Sequence, residues 1–361
     1  MSANSSLMSD EELTKDNPLF WSQYTPANCD SIRAIGIILS LAAFVGIALN
    51  GILLYSFVRY ENLRTPPNVF IIFIVALGLL ASFSILPMTA SSSIYCYWLF
   101  GKLGCQFEAF MALLYACSSS YLLCAISLTR CYIIMRPFKA KNVTVTKCLI
   151  ISCVVVMIAF TWTMLPILGW NEYTFERVRT SCCVNQYDRR RSYISFNLAI
   201  LVFVYCIPVI ILVITNVIVY VELRQMKKKV TEAVQTNFSH KKIEMERRIL
   251  ENILITVCGF VFTRTPYVCV CFLYTFYGKE SISPMLAFIC VCFARSSVMW
   301  IPMLNIMTST HFKINLVNTE ILETYVMHSS ILKPSSPSIK IRKTNNTAEA
   351  SVYKDFTSLA K

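Results

Sequence analysis

Glycine is scarce, with nine in 361 residues. No P-loop or dinucleotide fingerprint occurs, which excludes the common Gly-rich nucleotide sites. Charge is sparse too: 15% of residues are Asp, Glu, Lys or Arg, against about 25% in an ordinary soluble domain. Of the three histidines, His240, His311 and His328, none lies in an apolar stretch. Neither metal-ligand spacing nor a catalytic constellation is present, so the chain reads as a non-enzyme. Residues 1–31 are polar and mildly acidic, without the apolar core of a cleavable signal peptide.

What the chain has instead is hydrophobicity, 56% of its residues. That is too much for a water-soluble core of this size, which would still need a polar surface. A helix needs about 20 apolar residues to cross a bilayer. Seven stretches qualify: 32–58, 69–94, 105–135, 148–168, 193–221, 249–277 and 283–307. In hydrocarbon the backbone must satisfy its own hydrogen bonds, so each stretch is a helix. The fold class is an all-α membrane protein, a seven-transmembrane helix bundle. Pro87, Pro166, Pro208, Pro266 and Pro302 read as kinks within it. No internal repeat is visible, which disfavours a transporter.

The formal net charge is +13, and its distribution sets the topology. Of the 33 basic residues, 21 lie in the tail and in the loops after the first, third and fifth stretches, while nine lie on the opposite side. The positive-inside rule puts the N-terminus outside and the C-terminus in the cytoplasm of a multi-pass membrane protein. The basic rim, including Lys227-Lys228-Lys229, faces anionic membrane lipid, not nucleic acid. The sequon Asn4-Ser5-Ser6 agrees with an external, glycosylated N-terminus. The three remaining basic residues, Arg130, Arg264 and Arg295, lie deep inside the stretches, while Arg33, at the outer edge of the first, counts with the nine.

A set of motifs recurs in order along the spans. Gly46, Asn50 and Gly51 lie in the first, and Leu63-Arg64-Thr65-Pro66-Pro67-Asn68 follows it. Trp98-Leu99-Phe100-Gly101 and Gly104-Cys105 open the third, and Arg130 comes 25 residues after Cys105. Pro208, Pro266-Tyr267 and Phe293-Ala294-Arg295-Ser296-Ser297 lie in the last three. Together, from about Ile32 to Lys313, these resemble the rhodopsin-like (class A) G-protein-coupled receptors, and within them the opsins. The resemblance implies an extracellular segment 1–31, a receptor domain 32–307, a short amphipathic helix eight at 308–325 and a disordered cytoplasmic tail 326–361. It also implies a heterotrimeric G protein as partner. The Ser/Thr-rich tail, with Ser335, Ser336, Ser338 and Thr357, would offer kinase and arrestin sites, although that composition is common in disordered tails. No cysteine follows Cys292, so palmitoylation of helix eight is excluded.

The resemblance pairs Cys105 with a cysteine of the loop between helices four and five, in an oxidising compartment. Cys182 and its neighbour Cys183 compete for that role. The spacing of Thr180-Ser181-Cys182 after Glu176 matches the opsins and favours Cys182. Cys29 and Cys96 could form a second pair.

The seventh-helix motif departs from the opsins where it matters most. Opsins carry there the lysine whose amine condenses with retinal; this chain carries Arg295. A guanidinium stays protonated and cannot form an ordinary Schiff base. No lysine lies within the seven stretches, and Lys102 and Lys279 only flank them. The expectation is a receptor without covalent retinal, like the placozoan opsin-like receptors that lack the lysine. Glu108 matches the Schiff-base counterion position and Glu176 the second, loop-borne acid. A Glu108–Arg295 pair would tie helices three and seven, either as a structural bridge or as a ligand-sensitive latch.

Arg264 stands where the family has a tryptophan, next to Pro266 and Tyr267. With Arg295 it would favour a small anionic ligand; alternatively it snorkels or pairs with water. At the cytoplasmic end Arg130 is flanked by Thr129 and Cys131, not by an acid and a tyrosine. Glu246 matches the opposing acid of helix six. Only Pro302 survives of the seventh-helix Asn-Pro-x-x-Tyr motif, Gly78 replaces an aspartate of a sodium site, and Asn216 replaces a helix-five tyrosine. These departures keep a second class open, a non-signalling membrane adaptor or ligand carrier of opsin ancestry.

Overall fold

The structure, a computed structural model, describes residues 17–232, 237–278 and 281–308. Its helices are α1 (Cys29–Arg59), α2 (Pro66–Tyr95), α3 (Gly101–Met135), α4 (Val145–Met164), α5 (Arg191–Ile200), α6 (Ile207–Glu232), α7 (Asn237–Tyr277), α8 (Pro284–Arg295) and α9 (Ser297–Thr308). They make seven helical spans long and apolar enough to cross a membrane. α5 and α6 are one span joined through a π-turn at Leu201–Cys206, and α8 and α9 are the two halves of the last span, parted at Ser296. Asn4, helix eight at 308–325 beyond its first residue, and the tail lie outside the described residues.

Local chemistry places the helix ends. The Asn28 side chain caps α1, its oxygen accepting from the Asp30 amide at 2.9 Å. Pro66 and Pro67 open α2, where a missing N–H costs nothing. Ser283 caps α8 ahead of Pro284. α4 stops at Met164 instead of running to 168, so Pro166 ends that helix and does not kink it. Several helices also overrun their apolar stretches, taking Lys102 and Lys147 into their first turns and Lys227 and Lys228 into the end of α6.

Apolar side chains such as Ile38, Leu41 and Phe44 of α1 face outward, as a lipid-facing surface requires. Inward, small residues set helix separations. A Cβ on Gly36 would stand 3.0 Å from the Ala90 carbonyl oxygen, so α1 and α2 touch there backbone to backbone. Asn50 donates to the Gly46 and Val298 carbonyls at 2.8 and 3.1 Å, tying α1 to α9. Its amide oxygen would lie 2.7 Å from a Cβ on Gly78. The amide thus fills the room in which the resemblance has an aspartate.

The π-turn has an evident cause. Widening the helix frees carbonyls, and the hydroxyls of Ser120 and Tyr121 on α3 donate to Val204 and Phe203 at 2.8 and 3.2 Å.

A lid closes the end of the bundle that carries the N-terminal segment. Strands β1 (Tyr173–Phe175) and β2 (Cys182–Val184) form an antiparallel hairpin with Thr174 opposite Cys183. The Cys105–Cys182 disulfide pins β2 to α3, and the Cys29–Cys96 disulfide joins the start of α1 to the end of α2. The N-terminal 3-10 turn Pro18–Ser22 lays Phe20 and Trp21 on Phe175, ring centroids 5.7 and 5.0 Å apart. Trp98 completes this aromatic cluster 6.3 Å from Phe175. The nominally polar N-terminal segment therefore contributes an apolar plug.

Candidate functional site

Beneath the hairpin, a cavity of about 190 Å³ lies between α3, the α5–α6 span, α7 and the last span. Aliphatic and aromatic side chains form most of its wall, with Glu176, Gln186, Arg264, Tyr267 and Arg295 among its polar members. Glu108 lies behind Arg295 and is fully buried. No lysine lines the cavity among the described residues.

Arg295, the last residue of α8, carries its guanidinium among several acceptors. Nη1 lies 2.6 Å from Glu108 Oε1 and also donates to the Thr89 hydroxyl. Nη2 donates to the Cys182 carbonyl at 3.2 Å and stands 3.7 Å from Glu176 Oε1. The carboxylate is equally well held: Glu108 Oε2 accepts from the Cys182 amide at 2.9 Å, and Oε1 lies 2.9 Å from Thr89 Oγ1. One disulfide cysteine thus offers its N–H to the acid and its C=O to the base. The Cys105–Cys182 bridge and the Glu108–Arg295 pair form one cross-link among α2, α3, β2 and α8.

Glu176 follows β1 and turns back under the lid. Its Oε2 accepts from the Ser181 hydroxyl at 2.7 Å. Burial pushes the Glu176 carboxyl up from 4.5 to about 7, against the pull of Arg295. Its hold on Arg295 is the weaker of the two, since Oε1 has no hydrogen bond among the described residues.

Arg264 is placed differently. Its Nη2 lies 3.2 Å from Ser297 Oγ and 3.4 Å from Ser119 Oγ. The guanidinium carbon is 5.8 Å from the Tyr115 ring centroid and 5.6 Å from that of Phe260. No carboxylate pairs with it among the described residues. It does not snorkel to a helix end; it sits mid-span at the cavity floor. Tyr267, one turn above, accepts from Gln186 Nε2 at 3.0 Å and so fastens α7 to the segment after β2.

At the far end of the bundle Arg130 and Glu246 face each other electrostatically. Among the described residues no ion pair joins them, and Arg130 Nε and Glu246 Oε2 are both buried without a hydrogen-bond partner. No acid flanks Arg130 to orient it, and the neighbours of Glu246 pair within α7, Arg248 with Glu244 and Arg247 with Glu251. Pro302 lies inside α9, where Asn305 bonds back to the Ile301 carbonyl at 2.8 Å. Asn216 donates to Leu212 O at 2.7 Å and reaches Ser127 Oγ on α3 at 3.4 Å.

Sequence reasoning missed Thr89, Gln186, Tyr115, Ser119 and Ser297. Hydroxyls and amides in apolar spans bond their own helix as often as a neighbour. Nothing in the linear pattern marks the ones that turn toward a guanidinium.

The family of 7 transmembrane receptors (rhodopsin family) matches residues 49–305. Human melanopsin is 26% identical over 288 residues, covering 78% of this chain and 60% of melanopsin. The long-wavelength rhodopsin of Apis mellifera is 25% identical over 289 residues, covering 78% of this chain and 76% of its own. The match thus takes in three-fifths of melanopsin's length and three-quarters of the bee protein's. Squid rhodopsin superposes with a TM-score of 0.77 at 22% identity, over 84% of this chain and 89% of that one. At that identity the superposition shows a shared fold.

Proposed function

Since the chain belongs to the rhodopsin family of seven-transmembrane receptors, we propose that it is an opsin-derived receptor of the plasma membrane, N-terminus outside. It carries a noncovalent small-molecule signal to a heterotrimeric G protein. The extracellular segment, receptor domain, helix eight and tail divide the chain as its sequence suggests. The lid and cavity supply a ligand site, and Arg130 with the basic loops supplies the coupling face. The Ser/Thr-rich tail supplies arrestin contacts. The family is one of receptors, not enzymes.

One observation carries the noncovalent part. A retinal Schiff base needs a primary amine with a free electron pair. The residue at that place is Arg295, always protonated and held by Glu108 at 2.6 Å. Covalent retinal does not fit these residues. The missing lysine also supports the likeness to the placozoan opsin-like receptors.

The test is nucleotide exchange on a panel of heterotrimeric G proteins by the full chain in membranes, wild type against Arg130→Ala. Basal or ligand-evoked exchange lost in the variant supports the receptor. Identical traces across the panel would favour the second reading, a non-signalling adaptor or ligand carrier, to which the lack of an Arg130–Glu246 ion pair among the described residues lends weight.

A further inference from the structure

The cavity holds two guanidinium groups, and the structure separates them. Arg295 is neutralised: one carboxylate lies at 2.6 Å, a second at 3.7 Å, and a backbone carbonyl accepts from it at 3.2 Å. Arg264 has no such balance. A guanidinium offers five N–H donors and no acceptor. Among the described residues only Nη2 is engaged, by two hydroxyls at 3.2 and 3.4 Å, both long contacts. Nε is buried with no hydrogen-bond partner among the described residues. The Tyr115 and Phe260 rings lie within cation–π range, but they bring no countercharge. An uncompensated cation deep in a membrane bundle is costly, and such residues mark ligand paths or await a partner.

The surroundings define that partner. Arg264 stands at the floor of the cavity, and apolar side chains such as Leu113, Val204, Phe260 and Val268 line the space around it. A ligand reaching it must bring a single compact negative charge and otherwise bury hydrocarbon. A phosphate, with two charges, would exceed the one open cation. We infer that Arg264 anchors the carboxylate of an apolar monoanion, with Ser119 and Ser297 beside the head group and the hydrocarbon body lying in the cavity. This builds on the proposed noncovalent ligand site and names its ligand class. It also assigns the anion to Arg264 alone, because Arg295 is already occupied.

Decanoate and decanol, equal in chain length and differing in charge, are the probes. The full-length protein in nanodiscs at pH 7.5 is titrated with each, reading thermal unfolding and binding of radiolabelled decanoate. Decanoate should raise the melting temperature and bind at least about tenfold more tightly than decanol, as loss of a charge-assisted bidentate contact implies. Arg264→Gln should remove that preference and Arg264→Lys should retain part of it. Equal effects of acid and alcohol on the wild type would overturn the inference, as would unchanged decanoate binding in Arg264→Gln. If chloride in place of gluconate gives the whole stabilisation and decanoate does not compete with it, the site takes a small inorganic anion and the inference fails. The acid–alcohol comparison uses wild-type protein, so it stands even where a variant does not fold. No G protein takes part, so a failure of coupling and a failure of this inference are told apart.

Discussion

Arg295 and Glu108 meet at 2.6 Å with side chains 9% and 0% exposed. α3 and α8 are joined through them. Breaking a buried pair from one side leaves an uncompensated charge, at a cost of about 3–5 kcal/mol. Arg295→Ala should therefore destabilise by about that amount, seen as a large fall in melting temperature of the purified protein. Arg295→Met combined with Glu108→Gln should recover much of the loss, since no orphaned carboxylate remains at Glu108. Equal damage in single and double variants would mean that packing, not charge, holds the site.

The same pair bears on signalling. If it restrains the inactive state, Glu108→Gln releases α8 from α3 while keeping the side chain's shape. Basal G-protein activation should then rise several-fold over wild type at equal surface expression. Unchanged basal activity would make the pair a structural bridge only.

Glu176 gives the site a dependence on pH. Its ordinary value of 4.5 moves to about 7 in the folded chain because of burial. Below 4.5 the carboxyl is protonated folded or unfolded and contributes nothing. Between 4.5 and about 7 the unfolded chain has ionised while the folded one keeps the proton. The Glu176 contribution to stability therefore falls as pH rises through that window. Melting temperature measured from pH 5 to 8 should carry a downward component that Glu176→Gln removes. An identical profile in the variant would contradict the assignment.

Much of the fold was legible because the bilayer imposes a single rule, about 20 apolar residues per helix. The seven spans and the Cys105–Cys182 bridge follow that pattern or the motif spacing. Details set by tertiary partners were not legible. The π-turn at Leu201–Cys206 depends on hydroxyls from α3, and the three-residue strands of the lid are too short to register as a period. Pro166 reads as a kink in a long apolar run, yet it ends α4, because the pattern does not distinguish lipid-facing turns from helix. Within the site, the family spacing together with opposite charge points to the Glu108–Arg295 pair, which the structure joins at 2.6 Å. Sequence does not reveal that Arg264, an equal charge on the neighbouring helix α7, has only hydroxyls and rings about its guanidinium among the described residues.

In the proposed receptor a clamped arginine takes the place of a chromophore-bearing amine. The direct measurement incubates purified full-length protein with 11-cis-retinal in the dark, adds borohydride, and records the absorption spectrum and the intact mass. No visible band beyond free retinal and no mass increase are expected, with Arg295 still bound to Glu108. A trapped retinyl adduct accompanied by a visible absorption band would contradict that expectation.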